Sequence, residues 1–184
     1  MKKVILVLFA LVFISKTYAQ DLFVAKNINV GFYSKTPLED IEAESKIGYG
    51  VMQLGKKELN FTIKVSSFNF PRPLMQEHFN ENYMESEKFP NASFKGKLNE
   101  EYNLTVDGVY KVSATGKLEM HGVEKDRTID GVLTVKNGQI LLSTTFKVLC
   151  ADHKIKIPRM VVAKIAEEVT VSVNGTFNPF SNNK

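Results

Sequence analysis

The segment from 109 to 120 alternates between polar side chains and apolar or small ones. This alternation constrains the fold more than any other feature of the sequence. Lysine, serine, threonine and glutamate occupy the odd positions from 111 to 119. Apolar or small residues, apart from one tyrosine, occupy the even positions: Tyr110, Val112, Ala114, Gly116, Leu118 and Met120. A period of two places successive side chains on opposite faces of a strand. The segment therefore predicts a long antiparallel strand with one buried and one solvated face.

The same alternation recurs along the chain and predicts about eight strands in total. One strand places Ile41, Ala43 and Ile47 on its inward face, and another places alternate residues from Leu142 to Cys150 inward. The remaining segments with this alternation or with an apolar strand pattern are 28–32, 59–65, 94–98, 129–135 and 168–177. Each of them is interpreted as a half-buried strand.

Turn signals separate these strands. Asn137-Gly138, between two apolar runs, is the strongest short hairpin signal that a sequence offers. The break of parity at Ser66-Ser67 predicts a bulge, and the segment His121 to Asp126 is interpreted as a link between two strands. Because no linker rich in Pro, Gly or Ser interrupts residues 20–184, we interpret them as one domain.

Two segments depart from the strand pattern. Pro71-Arg72-Pro73 opens the stretch 74–85, where apolar side chains recur at helical spacing and Pro73 suits the first helical position. A second short helix is predicted from Pro158. About eight antiparallel strands with one or two short helices predict an all-β fold, a closed lipocalin-like barrel. An immunoglobulin-like sandwich is the alternative, disfavoured by the length of the strand at 109–120.

The first residues have the layout of a secretory signal peptide. Lys2-Lys3 precedes the apolar run Val4 to Ile14, and polar residues and Ala19 follow it. The run is too short to cross a bilayer as a helix. We therefore expect residues 1–19 to be cleaved, residues 20–184 to form the mature domain, and the location to be periplasmic or secreted.

Charge and cysteine content exclude several classes of protein. The formal charge of +4 falls close to zero without the signal peptide, which contains lysines but no acid. The mature chain therefore lacks the basic footprint of a nucleic-acid-binding protein, and it contains no further apolar run long enough to predict a transmembrane segment. The single cysteine, Cys150, cannot form an internal disulfide, and its inward parity predicts a buried, unreactive thiol.

No catalytic or metal-binding motif is evident. His78, His121 and His153 are far apart in the sequence, and none has the spacing of a metal motif. Asp152 precedes His153, but no recognisable nucleophile motif accompanies the pair. We therefore predict no enzymatic activity, no cofactor and no metal. An enzyme in which these groups converge on a hydrophobic substrate remains an alternative.

Aromatic residues supply an apolar interior. The chain has 13 Phe and no Trp. Four of the phenylalanines lie on inward parities: Phe32, Phe61, Phe94 and Phe146. Ala114 and Gly116 are small residues on an inward row, where they leave space or let a ligand approach the backbone. A bulky side chain introduced at Gly116 is accordingly expected to point into the interior.

Five segments occur in a characteristic order and spacing across the mature chain. They are Met75 to Phe79, Tyr83 to Phe94, Gly116 to Val123, Phe146 to Val148 and Asp152 to Pro158. In this combination they resemble the YceI-like family of exported bacterial proteins. The sequence departs from many relatives at Met75-Gln76, where those proteins carry an Arg-Asp pair, so a head-group contact from that pair does not carry over.

The resemblance implies a barrel that holds a long apolar ligand, in relatives a polyisoprenoid or another lipid chain, without catalytic residues. We accordingly expect an exported protein that sequesters or carries an isoprenoid or fatty-acyl lipid. The residues expected to line the cavity are Phe32, Phe61, Ile63, Val65, Phe94, Val112, Ala114, Gly116, Phe146 and Val148. Those expected at its mouth are Met75, His78, Phe79 and Tyr83. A ligand-free structural or stress-related envelope protein with a packed barrel is the alternative, and the oligomeric state, including a homodimer, is left open.

Overall fold

Eight strands form the framework of the protein. The structure, a computed structural model, describes residues 21–157 and 165–180. The strands are β1 Leu22–Lys35, β2 Asp40–Gln53, β3 Glu58–Lys64, β4 Asn91–Leu98, β5 Gly108–Met120, β6 Val123–Lys136, β7 Gln139–Leu149 and β8 Glu168–Pro179. Each is antiparallel to the next, and β8 pairs with β1, so the sheet closes into a barrel. The predicted all-β barrel is confirmed.

One short helix interrupts the strands between β3 and β4. Helix α1, Pro73–His78, begins with Pro73 in its first turn and continues directly into a π-helical turn, Phe79–Tyr83. The helix predicted from the spacing at 74–85 is thus confirmed. We call residues 73–83 the lid, because several of them cover one end of the barrel. The second helix, predicted from Pro158, begins outside the described residues.

The predicted alternation agrees with the observed burial along most strands. On β5, Val112, Ala114 and Leu118 are buried while their odd-numbered neighbours are more exposed. Asn137-Gly138 forms the expected tight turn, with φ angles of 52° and 73°. The left-handed conformation at both positions matches the twist of the strands that it joins.

Three details of the prediction are wrong. Ile47 is 58% exposed rather than inward, because β2 contains an extra residue between the pairs Ile28–Gly48 and Val30–Ser45. A bulge of this kind shifts the strand parity by one residue. At Ser66-Ser67 the chain forms a 3-10 turn, Val65–Ser67, instead of a bulge.

The third difference concerns the connection after β5. The predicted link at 121–126 is a two-residue turn, His121-Gly122, with φ angles of 50° and 68°, and β6 already begins at Val123. Its conformation resembles that of Asn137-Gly138. Charged residues early in β6 obscured this strand in the sequence.

The end of the barrel opposite the lid is filled with apolar side chains. These residues, which we call the floor, are all buried: Phe23, Leu104, Val135, Ile140 and Phe177. Ile140 and Phe177 are 0% exposed. The barrel interior is therefore closed on this side, and the described residues leave open space between the floor and the lid.

Candidate binding cavity

A cavity of about 550 Å³ occupies the barrel between the floor and the lid. Its volume falls within the range of about 300–1,000 Å³ that is usual for small-molecule sites. Aliphatic and aromatic side chains from all eight strands form most of its wall. A wall of this kind favours an apolar occupant, because burying apolar surface is the main stabilising contribution it can offer.

The structure brings together nearly all the residues predicted for the site. The predicted residues that line the cavity are Phe32, Phe61, Ile63, Val65, Met75, His78, Phe79, Tyr83, Phe94, Val112, Ala114, Phe146 and Val148. They come from strands distant in sequence and from the lid, and barrel closure makes them neighbours. Their binding of a ligand stays a prediction.

Gly116 is the exception, since it is not part of the cavity wall. It faces Gly96 on β4, and a Cβ atom added to Gly116 would lie 2.3 Å from the carbonyl oxygen of Lys95. The absence of a side chain allows β4 and β5 to approach closely at this point. A larger residue at Gly116 would meet the backbone of β4 before it reached the cavity.

Four phenylalanines close the lid end of the cavity. Phe79 of the lid stacks on Phe32 of β1 at 5.4 Å between ring centroids. Phe68 and Phe70 contact both of these rings at centroid distances between 5.0 and 5.7 Å. Phe68 and Phe70 were missed in the sequence because they lie between elements, where alternation gives no signal. The four rings attach the lid to the barrel through buried apolar surface.

Charged groups are found at the edge of the mouth. Arg72, which precedes the lid, forms an ion pair with Glu39 from the β1–β2 turn, and both border the cavity. His78 is exposed on the lid and also borders the cavity. Tyr83 is more enclosed, and burial raises the pKa of its hydroxyl. The charges lie where a polar head group would remain in contact with water.

A polar contact fixes the chain segment that follows the lid. His121 Nε2 lies 2.7 Å from Glu85 Oε2, and His121 Nδ1 lies 3.0 Å from the carbonyl oxygen of His153. The ring of Phe89 packs edge-on against the imidazole at 4.6 Å. The β5–β6 turn is thereby joined both to the lid segment and to the 3-10 turn Cys150–His153.

His153 and Cys150 are buried on that same 3-10 turn. His153 is 1% exposed and donates its Nδ1 hydrogen to the carbonyl oxygen of Val123 at 3.0 Å. Burial lowers the pKa of His153 and raises that of the Cys150 thiol. Cys150 borders the cavity, as its inward parity predicted. Both groups are therefore uncharged near neutral pH.

No cluster of three or more metal-ligating side chains occurs within residues 21–157 and 165–180. His121 and His153 do meet, but the ring of one contacts Glu85 and that of the other a backbone carbonyl. Within the same residues, no helix is long and apolar enough to cross a membrane.

The fold and the cavity together define a class, the antiparallel barrels with an enclosed apolar interior. The family model of the YceI-like domain matches residues 23–177. The chain belongs to the YceI-like family, as the order of its sequence segments indicated. No protein of curated function matches it.

Solved structures share this fold at low sequence identity. A polyisoprenoid-binding domain from Saccharophagus degradans, implicated in plant cell wall breakdown, is 14% identical with a TM-score of 0.73, over 87% of this chain and 99% of that chain. BcnA of Burkholderia cenocepacia is 15% identical with a TM-score of 0.68, over 81% and 95%. The YCEI protein of Campylobacter jejuni is 21% identical with a TM-score of 0.62, over 76% and 85%.

Proposed function

We propose that this protein binds a long apolar molecule, a polyisoprenoid or an acyl lipid, inside the barrel and sequesters or carries it without chemical conversion. The observation that carries the proposal is the cavity of about 550 Å³, whose wall is mostly apolar and whose charged pair, Arg72 and Glu39, lies at the mouth. The packed barrel considered from the sequence would lack this space. The name of the Saccharophagus degradans domain adds support for an isoprenoid.

The decisive experiment identifies what the protein carries. Protein purified from its native host without detergent is extracted with organic solvent, and the extract is analysed by mass spectrometry. We expect one isoprenoid or acyl compound in near-stoichiometric amount. Binding is then reconstituted with the fluorescent probe dansylaminoundecanoic acid and its displacement by geranylgeraniol or hexadecanol. An extract without lipid, together with no binding of the probe, would overturn the proposal.

A matched pair of variants locates the ligand inside the barrel. Ala114 is buried and borders the cavity, whereas its neighbour Thr115 is exposed on the outer face. Ala114→Leu should occupy ligand space and reduce the lipid recovered several-fold, while Thr115→Leu should leave the amount unchanged. Equal lipid in both folded variants would place the ligand elsewhere.

Export forms the second part of the proposal. It is supported by the signal-peptide layout of Lys2-Lys3 and the run Val4 to Ile14. Intact-mass analysis of the protein from its native host should give a chain that begins at Gln20 in the periplasmic or secreted fraction. Full-length protein confined to the cytosol would contradict this localisation. A homodimer gains no support from the fold or the comparisons.

A further inference from the structure

Backbone pairing between neighbouring strands is not continuous around the barrel. β6 pairs with β5 along its whole length, from Val123 to Val135, and β7 pairs with β8 from Ile140 to Leu149. β6 and β7, however, pair with each other only from Val132–Ser143 to Lys136–Gln139, at the floor end. Among the described residues, no backbone pairing joins 123–131 of β6 to 144–149 of β7. We call this unpaired stretch the seam.

Side chains replace the missing backbone ladder. Where the strands begin to diverge, Thr144 Oγ1 donates to the carbonyl oxygen of Asp130 at 2.5 Å. Nearer the lid end, Arg127 crosses the seam and donates to the carbonyl oxygen of Lys147. Arg127 also lies 3.7 Å from the Asp152 carboxylate. Along the seam, these side-chain contacts stand where neighbouring strands are usually joined by backbone hydrogen bonds.

The cavity reaches the seam from the inside. Ile129, Asp130 and Gly131 of β6 border the cavity, and Thr144, Phe146 and Val148 of β7 border it from the opposite side. Ile129 and Phe146 face inward but are only half-buried. The apolar interior is thus separated from the outer surface at the seam by a few side chains, with no continuous backbone ladder between them.

Several contacts, by comparison, hold the lid to the barrel at the mouth. Opening it would separate the four packed phenylalanines and the Arg72–Glu39 ion pair, and would disturb the contact between His121 and Glu85. The hydrogen bond from His153 to Val123 holds the lid end of the seam. Widening the middle of the seam breaks the bridge from Thr144 and the contacts of Arg127, whose side chain is 28% exposed. Since separating packed aromatic rings exposes large apolar areas, widening the middle of the seam requires less rearrangement.

We propose that the seam between β6 and β7 is a lateral opening through which an apolar chain enters and leaves the cavity, with Arg127 as its gate. This proposal rests on the proposed function and adds the route of access. In it, the ligand is exchanged through the wall of the barrel and does not pass the lid.

A reversible cross-link tests the route. Asp130 and Thr145 are both exposed and would be the next outward pair beyond Val132–Ser143. The double variant Asp130→Cys/Thr145→Cys is joined with a short bis-thiosulfonate linker, and mass spectrometry verifies that buried Cys150 is unmodified. A second protein, Glu39→Cys/Arg72→Cys, is joined in the same way across the mouth. Each protein after reduction serves as its own control.

Stopped-flow mixing with dansylaminoundecanoic acid gives the entry rate, and dilution into vesicles gives the release rate. We expect the seam cross-link to slow both rates by about tenfold, a change readily resolved among variants of one protein, and reduction to restore them. The mouth cross-link should change them much less. If the seam cross-link leaves both rates unchanged, the proposal is overturned. Reduced proteins that bind no probe would instead refute the proposed function itself.

Removing the gate provides an independent measurement. Arg127→Ala should speed release several-fold, because nothing then bridges to Lys147 and Asp152. Lys125→Ala removes the same charge from an exposed position on the same strand and should leave release unchanged. Equal release rates in the two variants would refute the role of Arg127 as a gate.

Discussion

Glu85 and His121 are 36 residues apart in the chain and meet at 2.7 Å between carboxylate and imidazole. Glu85 lies two residues after the lid, and its backbone is left-handed with φ of 43°. The contact therefore fixes the lid at its C-terminal end, while the phenylalanine stack fixes it at Phe79. The lid is held to the barrel at two points of different chemistry.

The Glu85 contact can be removed without altering the lid itself. Glu85→Ala should lower the free energy of unfolding by about 1 kcal/mol, the usual contribution of a partly exposed hydrogen-bonded pair. It should also speed hydrogen exchange of the amides in residues 73–83, as measured by mass spectrometry. Glu87→Ala removes a more exposed carboxylate and is the matched control. Identical exchange in the two variants would contradict the anchoring role.

Acid should destabilise the fold partly through His153. Burial lowers the pKa of His153 below its value of about 6.5 in an unfolded chain. Between these two pKa values the unfolded chain binds more protons than the folded one. This contribution to stability is therefore complete above about pH 6.5 and is lost progressively as the pH falls.

Substitution of His153 by an amide isolates this effect. His153→Asn retains an N–H group to reach the carbonyl oxygen of Val123 but does not titrate. Urea unfolding at pH 7.5 and pH 5 should show a smaller loss of stability for the variant than for the parent. If both proteins lose the same amount of stability, groups other than His153 cause the acid sensitivity.

Gly116 should tolerate no side chain. Gly116→Ala places a Cβ atom against the Lys95 carbonyl on β4 and should cost about 1–3 kcal/mol of stability, in the range of other overpacked sites. Gly108→Ala on the same strand meets its nearest atom at 3.4 Å, an ordinary contact, and should leave thermal stability nearly unchanged. Equal melting temperatures for the two variants would refute the close approach of β4 and β5.

Cys150 should react slowly in the folded protein. Burial raises the pKa of its thiol, and the thiolate is the reactive form. A maleimide dye should label the denatured chain rapidly and the native chain hardly at all. Lys147→Cys introduces an exposed thiol on the neighbouring strand and should label at once in the native state. Rapid labelling of native Cys150 would place it on the outer face.

The sequence predicted the parts of the structure that depend on local periodicity. The inward residues of β5, such as Val112 and Ala114, follow from alternation because a strand has only two faces. Ile47 was misplaced because one extra residue in β2 reverses the parity, and nothing local marks that residue. Gly116 was misplaced because its role depends on the distance to β4, which is a property of the assembled barrel.

For the same reason, contacts between elements could not be predicted from the sequence. His121 was correctly placed in a turn, but its partner Glu85 belongs to a segment without regular structure. The divergence of β6 from β7 was not predicted either, since β7 alternates normally and both strands pair fully on their other sides. Such features arise only when the strands are assembled.

The floor formed by Phe23, Leu104, Val135, Ile140 and Phe177 makes the cavity a blind tube. A chain bound there along the barrel axis has a fixed stopping point for its leading end. Every additional carbon beyond the depth of the tube must then remain outside the cavity at the seam, where it gains little from burial. The affinity of the barrel for apolar chains should therefore increase with chain length up to the length that fills the cavity, and then level off.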